Sequence, residues 1–412
     1  MSDRKNLPSF DSIQFFRRVW EAKGLNRFDR SLYEYTANVL AKGFKSGWDG
    51  DHRQVNLADG FEYDTDDPAL LTAFEQNIFR FSAAKTLAQV QEINALFRAS
   101  ETFESFLESV SKKFDVFNKT WLETEYNTAI LTGEAAATYH RLLAKSDIFP
   151  YWEYRTVQDE HVRPEHQKLH GLILPFDDPR WDQLFPPNGW NCRCFVVPRM
   201  ASEVNESKIS SMRKRADQYF KSKEFKSNEA QGWGVNRGKV SEIFTANQQY
   251  VYKQPGKSAK LLNSLAPSDY ELPSYSNAKK VATEALPTDD VNPSDFYDAL
   301  EVNEGKSVLK DYNDRPMALP ATDFEFQTQS TEKAAHLEAM SQTLQTPDEV
   351  WINGDKGSKD INNFIYIKYY QDQTMIVVGG INKGQASQVN TWFTLTETKE
   401  EIAKYRRGIL IR

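Results

Sequence analysis

The stretch RPEHQKLHGLILPFDDPRWDQLFPPNGWNCRC, Arg163 to Cys194, constrains the fold more than any other part of the chain. Its five prolines and two glycines bar a long helix or strand. It must therefore be built from short elements and turns. Two of the six histidines and both cysteines of the chain fall inside it, so its chemistry is as concentrated as its punctuation.

Pro164 opens a short helix and Gly171 is placed to stop it. His166 and His170 are four residues apart, which on a helix sets both imidazoles on one face. His161 stands on the approach. Cys192 and Cys194 alternate around Arg193, so in an extended strand CRCFVVP, ended by Pro198, both thiols point the same way. A His-x3-His helix facing a Cys-x-Cys strand can supply four ligands to a structural zinc. The bland alternative is two buried cysteines in a small core, with histidines bonded to carboxylates such as Asp159 or Asp177. A third is a Cys–His nucleophile pair. The residues themselves leave all three open. In PPNGW, Pro186 and Pro187 stiffen the chain, Asn188-Gly189 turns it and Trp190 anchors it, with Trp152 and Trp181 nearby.

Residues 8–150 read as helices, with apolar residues at three- and four-residue spacing in SIQFFRRVWEAK and in the long runs that follow Asp67 and Thr102. Asp, Ser and Thr are placed to cap these helices, and the aromatic stripes are core packing. The texture changes at FPYWEYRTV, which reads as a strand. Residues 201–228 are helical and include the basic patch MRKRADQYFKSKEFK. Residues 229–290 are dense in Pro, Ser, Asp and Asn and read as a loop-rich connector. From 291 a further unit begins: a helix in TEKAAHLEAMSQTL, then the strands EVWIN, FIYIKYYQ, TMIVVGGIN, QVNTWFTLT and GILIR. The expected class is α+β, with an antiparallel sheet at the C-terminal end.

Several function classes are excluded or weakened. With 26% charged residues and a net charge of −7, the chain as a whole does not suit coating nucleic acid, although local basic patches do. No apolar run of membrane-spanning length occurs. The polar N-terminus lacks a signal-peptide core, so synthesis in a bacterial-type cytoplasm is expected. Two GKS triplets, at 256–258 and 305–307, carry Val251 and Leu300 where a phosphate loop needs glycine, and both matches fail.

The stretch YRTVQDEHVRPEHQKLHGLILPFDDPRWDQLFPPNGWNCRC resembles the signature of the phage Mu protein F-like minor head proteins. The matching positions include Asp159, Val162, Arg163, His166, Gly171, Trp181 and the closing run from Pro186 to Cys194. His161 and His170 occupy variable positions of that pattern. The resemblance implies a minor head (head morphogenesis) protein of a tailed phage or prophage. Its partners would be the portal, other head proteins and the packaged DNA, and its locations the virion and the bacterial host cytoplasm. On it rests the division into a minor head domain over 1–228 (signature 151–198), a connector over 229–290 and a C-terminal domain over 291–412.

TPDEVWIN, YIKYYQDQTMIVVGG and NTWFTLTE with YRRGILIR are similar to the phage-associated barnase–colicin–RelE-like nucleases. That resemblance implies metal-independent RNA cleavage by a toxin or effector segment, with RNA as substrate and an immunity protein as partner. Such chemistry needs an acid/base pair and cations facing the phosphorane. The candidates are His336 and Glu349 as acid or base, Lys368, Arg406 and Arg407 as phosphate-binding cations, and Thr391 as a hydrogen-bond donor. Each has a bland counterpart as a surface or solvated residue. The alternatives are a purely structural head protein whose C-terminal domain binds without catalysis, and a polymorphic toxin of a prophage.

Overall fold

The computed structural model describes residues 10–54, 68–248, 250, 260–288, 291–303, 306–354, 362–380, 387–395 and 399–412. The expected opener Asp67, residues 1–9 and the 256–258 triplet lie outside them. The described residues fall into two compact units. One is drawn from 1–25, 31–66 and 88–252, the other from 26–30, 67–87 and 253–412.

The long apolar periodicities become α1 (Ser12–Glu21), α2 (Arg30–Gln54), α3 (Pro68–Ala99), α4 (Phe103–Asp115) and α5 (Leu122–Ala144). Asp11 caps α1 by accepting from the Gln14 amide at 3.0 Å, and Thr102 caps α4 by accepting from Ser105 at 3.2 Å. The aromatic stripes are core, as their spacing requires. Phe15, Phe16 and Val19 of α1 pack on Val90, Ile93, Phe106, Val110 and Phe114, and the Phe16 and Phe114 rings meet edge-on at 5.0 Å. The pattern that read as continuous from Thr102 onward is interrupted by a π-helical turn, Val116–Trp121.

The short-element stretch folds around a three-stranded antiparallel sheet. Its central strand β1 (Tyr151–Arg155) is flanked by β2 (Leu172–Pro175) and β3 (Phe195–Arg199). Trp152, Tyr154, Leu172 and Leu174 bury one face against Trp181 and the helices Ile209–Phe220 and Lys223–Ala230. The strand expected from Cys192 begins only at Phe195, and both cysteines lie in the loop before it. Nor does Pro198 end β3, which runs on to Arg199. Because β3 pairs with β1 alone, a residue without an amide hydrogen is tolerated there.

The second unit carries an eight-stranded sheet in the order β11-β7-β8-β9-β10-β6-β5-β4. Its strands are β4 (Glu301–Asn303), β5 (Lys306–Lys310), β6 (Pro316–Ala318), β7 (Glu349–Asn353), β8 (Asn363–Tyr369), β9 (Thr374–Gly380), β10 (Gln388–Leu395) and β11 (Ile409–Leu410). All neighbours are antiparallel except β10 and β6. The five strands read from 349 onward are present, while β4 to β6 are additions. The single helix expected over 331–344 is two, Thr331–Ala334 and Leu337–Gln345, broken at Ala335–His336.

Candidate functional site

In the first unit, the turn chemistry of the signature brings three ligand-type side chains together. Pro164 starts a four-residue helix, α6 (Pro164–Gln167), and Gly171 leaves it at φ +73°. This seats His166 in the interior, 1% exposed. On the other side, Pro186 and Pro187 are joined by a cis peptide bond, and the buried Asn188 donates to the Leu184 carbonyl at 2.7 Å. The Arg163 guanidinium lies over the following turn and donates to the Trp190 carbonyl at 2.8 Å. A Cβ at Gly189 would fall 2.9 Å from its carbon, so the absence of a side chain there lets the guanidinium lie close over the turn. Arg193 forks onto Asp159 at 2.7 and 2.8 Å. These contacts tie Asp159, Arg163, Asn188, Gly189 and Arg193 into one local structure.

Cys192 and Cys194 then face one ring nitrogen of His166, with Sγ–Nδ1 distances of 3.7 and 3.6 Å. All three ligand atoms lie within 4.8 Å of one another. The other ring nitrogen is buried with no hydrogen-bond partner. The contact between Cys192 and the Cys194 thiol, aided by His166 and opposed by burial, holds the Cys192 thiol well below its ordinary range. The same contact, together with burial, pushes Cys194 up. The pair thus gives up one proton readily and holds the second. A small cleft lined by Val157, His161, Arg163, Asn191 and Arg193 opens onto the three side chains.

His170 is not part of this group. α6 ends at Gln167, so His170 lies past the helix. There its Nδ1 faces the Thr156 hydroxyl at 2.9 Å and accepts from the Thr156 amide at 3.2 Å. Its Nε2 is 3.4 Å from Arg155.

In the second unit, the six catalytic candidates do not converge. Glu349 is buried and accepts from Arg406, Trp351 Nε1 at 2.8 Å and Tyr369 at 3.0 Å. Arg406 is equally buried in that pair. Lys368, a candidate phosphate-binding cation, is 9% exposed and donates to Thr346 at 3.2 and 3.3 Å. Arg407 spans the backbone carbonyls of Asn263, Gly354 and Lys404. His336 stands at the N-cap position of Leu337–Gln345 without a side-chain cap, its Nδ1 3.1 Å from the Pro287 carbonyl.

Thr391 alone meets a cation among neutral groups on the sheet. Lys333 donates to its hydroxyl at 2.8 Å and also to Gln327. Thr391 itself reaches Gln327 at 3.1 Å, and Gln327 donates to the Asn390 carbonyl at 3.1 Å. Burial lowers the Lys333 ammonium, and Glu332 acts in the opposite sense. Thr394 donates to Glu332 at 2.8 Å. Sequence reasoning missed Lys333 and Gln327, because only the approach of the 321–334 helices to β10 makes them neighbours of Thr391.

Two families match separate stretches. Residues 71–197 match the family described as phage Mu protein F like protein. Residues 295–411 match the phage-Barnase-EndoU-ColicinE5/D-RelE like nuclease family. A protein F of Escherichia phage Mu, named for capsid assembly, is 37% identical over 24% of this chain and 23% of its own length. The Mu-like prophage FluMu F protein of Haemophilus influenzae is 40% identical over 22% of each chain. An uncharacterised protein of Methanocaldococcus jannaschii is 52% identical over 11% of this chain and 7% of its own. The chain thus spans less than a quarter of the length of these curated relatives. No solved structure matches. No helix among the described residues is long and apolar enough to cross a membrane. The chain is therefore similar to phage Mu F-like head proteins over residues 71–197 and to a phage nuclease family over residues 295–411.

Proposed function

We propose that this chain is a minor head protein of a tailed phage or prophage, acting in head assembly near the portal and carrying an RNA-cleaving effector in its C-terminal unit. The observation that carries the proposal is the presence, on one chain, of a Mu F-like match and a nuclease-like match that do not overlap. Such a protein would be made in the host cytoplasm and enclosed in the head with the DNA.

For the cleavage, the group on β10 supplies the better chemistry. A 2′-hydroxyl attacks the adjacent phosphorus, the bond to the 5′-oxygen breaks, that oxygen takes a proton from solvent and leaves as a 5′-hydroxyl, and a 2′,3′-cyclic phosphate remains. Lys333, with no carboxylate bonded to it among the described residues, faces the phosphorane charge. Thr391 and Gln327 orient the phosphate, and Glu332 is the nearby carboxylate that takes the hydroxyl proton. Purified full-length chain, incubated with end-labelled RNA in EDTA, should yield cyclic-phosphate ends. Lys333→Ala and Thr391→Val should abolish them. Folded chain that leaves RNA intact would defeat the effector reading.

A second reading, a non-catalytic C-terminal binding domain, is favoured by one observation. Glu349 and Arg406, a candidate acid and a candidate cation, are paired with each other in the interior.

A further inference from the structure

We propose that His166, Cys192 and Cys194 form a zinc site with three protein ligands and a fourth position open to the adjoining cleft. Zinc takes thiolate at about 2.3 Å and imidazole at about 2.0–2.1 Å, and at tetrahedral angles this sets nitrogen and sulfur about 3.6 Å apart. The two Sγ–Nδ1 distances, 3.6 and 3.7 Å, are that tetrahedral edge. One nitrogen faces both sulfurs at once, as a shared central ion requires.

The competing explanation, a satisfied core histidine, does not describe this ring. A buried imidazole normally bonds oxygen or nitrogen at both positions. Among the described residues, Nδ1 of His166 has only the two sulfurs and Nε2 has no partner. The electrostatics also suit a dication: two thiolates and a neutral imidazole balance a 2+ ion. The surrounding arginines are engaged elsewhere, Arg193 by Asp159 and Arg163 by the Trp190 carbonyl. The buried Tyr154 hydroxyl has no oxygen or nitrogen partner and stands beside Cys194. It is placed to donate to a bound thiolate, the outer contact that zinc ligands ordinarily receive.

The cleft supplies the fourth position. His161 lines it but is mostly exposed and lies near Glu160 at 3.5 Å, so solvent completes the coordination. The ion ties α6 to the loop entering β3, two segments 26 residues apart that no long element connects. This inference is independent of any activity in the C-terminal unit.

The test uses full-length chain purified under reducing conditions without a metal-affinity step. Elemental analysis should find about one zinc per chain. Cobalt replacement should give the sulfur-to-cobalt charge-transfer absorption of a thiolate site. His166→Ala, Cys192→Ser and Cys194→Ser should each lose the metal, whereas His161→Ala and His170→Ala retain it. Should the first three fail to fold, the cobalt spectrum of the wild-type chain and its loss on chelation still decide. Folded chain that takes up neither zinc nor cobalt, or holds a Cys192–Cys194 disulfide instead, overturns the proposal. So does metal retained in Cys192→Ser or lost in His170→Ala.

Discussion

At the scale of single residues, charge is handled in the interior by pairing. Asp178 has a fully buried carboxylate between Arg180, at 3.1 Å, and Arg213, at 2.7 Å. Burial works to raise its carboxyl, but Arg213 and the Arg180 amide and guanidinium outweigh it and hold the group below the ordinary range. A depressed folded value means stability fully present well above the unfolded value of about 3.9. That contribution disappears as pH falls through the lower folded value. Asp178→Asn should therefore cost about 1–2 kcal/mol near neutrality, discounted for the half-exposed Arg213. Denaturant melts should also show a shallower loss of stability below about pH 4 than in the parent chain.

Glu349→Gln strands a buried Arg406 and should cost about 3–5 kcal/mol, read as a lower denaturant midpoint. If instead stability is unchanged and RNA cleavage disappears, Glu349 is catalytic rather than structural. The same scale shows where sequence reasoning stopped. Residue type singled out His166, Cys192 and Cys194 and the structure brings them together, but through a loop and not through the alternation of a strand. The four-residue spacing of His170 misled, because α6 ends one residue after His166 and the helical face never reaches it. The bland alternative for Lys368, an outward strand lysine, fails because both faces of β8 are buried.

At the scale of elements, α2 and α5 cross at near-backbone contact. A Cβ on Gly47 would lie 2.0 Å from the Ile130 carbonyl oxygen, and one on Gly133 2.3 Å from that of Phe44. Neither neighbour is a movable side-chain end, so the helices must separate. Gly47→Ala should cost about 3 kcal/mol. Gly50, on the same helix, has nothing within 4 Å of a built Cβ. Gly50→Ala should instead stabilise by about 0.5–1 kcal/mol. Thermal melts of the two variants should move in opposite directions, and parallel shifts would refute the crossing. The long helices and the strands β7 to β10 were legible because each holds its period over five or more residues. β4 and β6 have three residues each, too few for alternation to show. The break at His336 follows from tertiary packing that no local pattern encodes.

At the scale of the whole molecule, two family likenesses on one chain predict two separable losses. Production of the full chain in a bacterial host should slow growth, and Lys333→Ala should restore it while leaving the zinc content unchanged. Cys192→Ser should do the reverse. Growth unaffected by the parent chain at good yield of folded protein would count against the effector.

The eight-stranded sheet has short strands at both edges. Its outer strands are β11, of two residues, and β4, of three. An exposed strand is a template on which a foreign chain can extend a sheet, and templating weakens with every pairing position removed. This sheet is long through its middle and nearly closed at its margins. Crowding many copies into a small volume should therefore leave each sheet discrete, and strand-like peptides should find no purchase along either border.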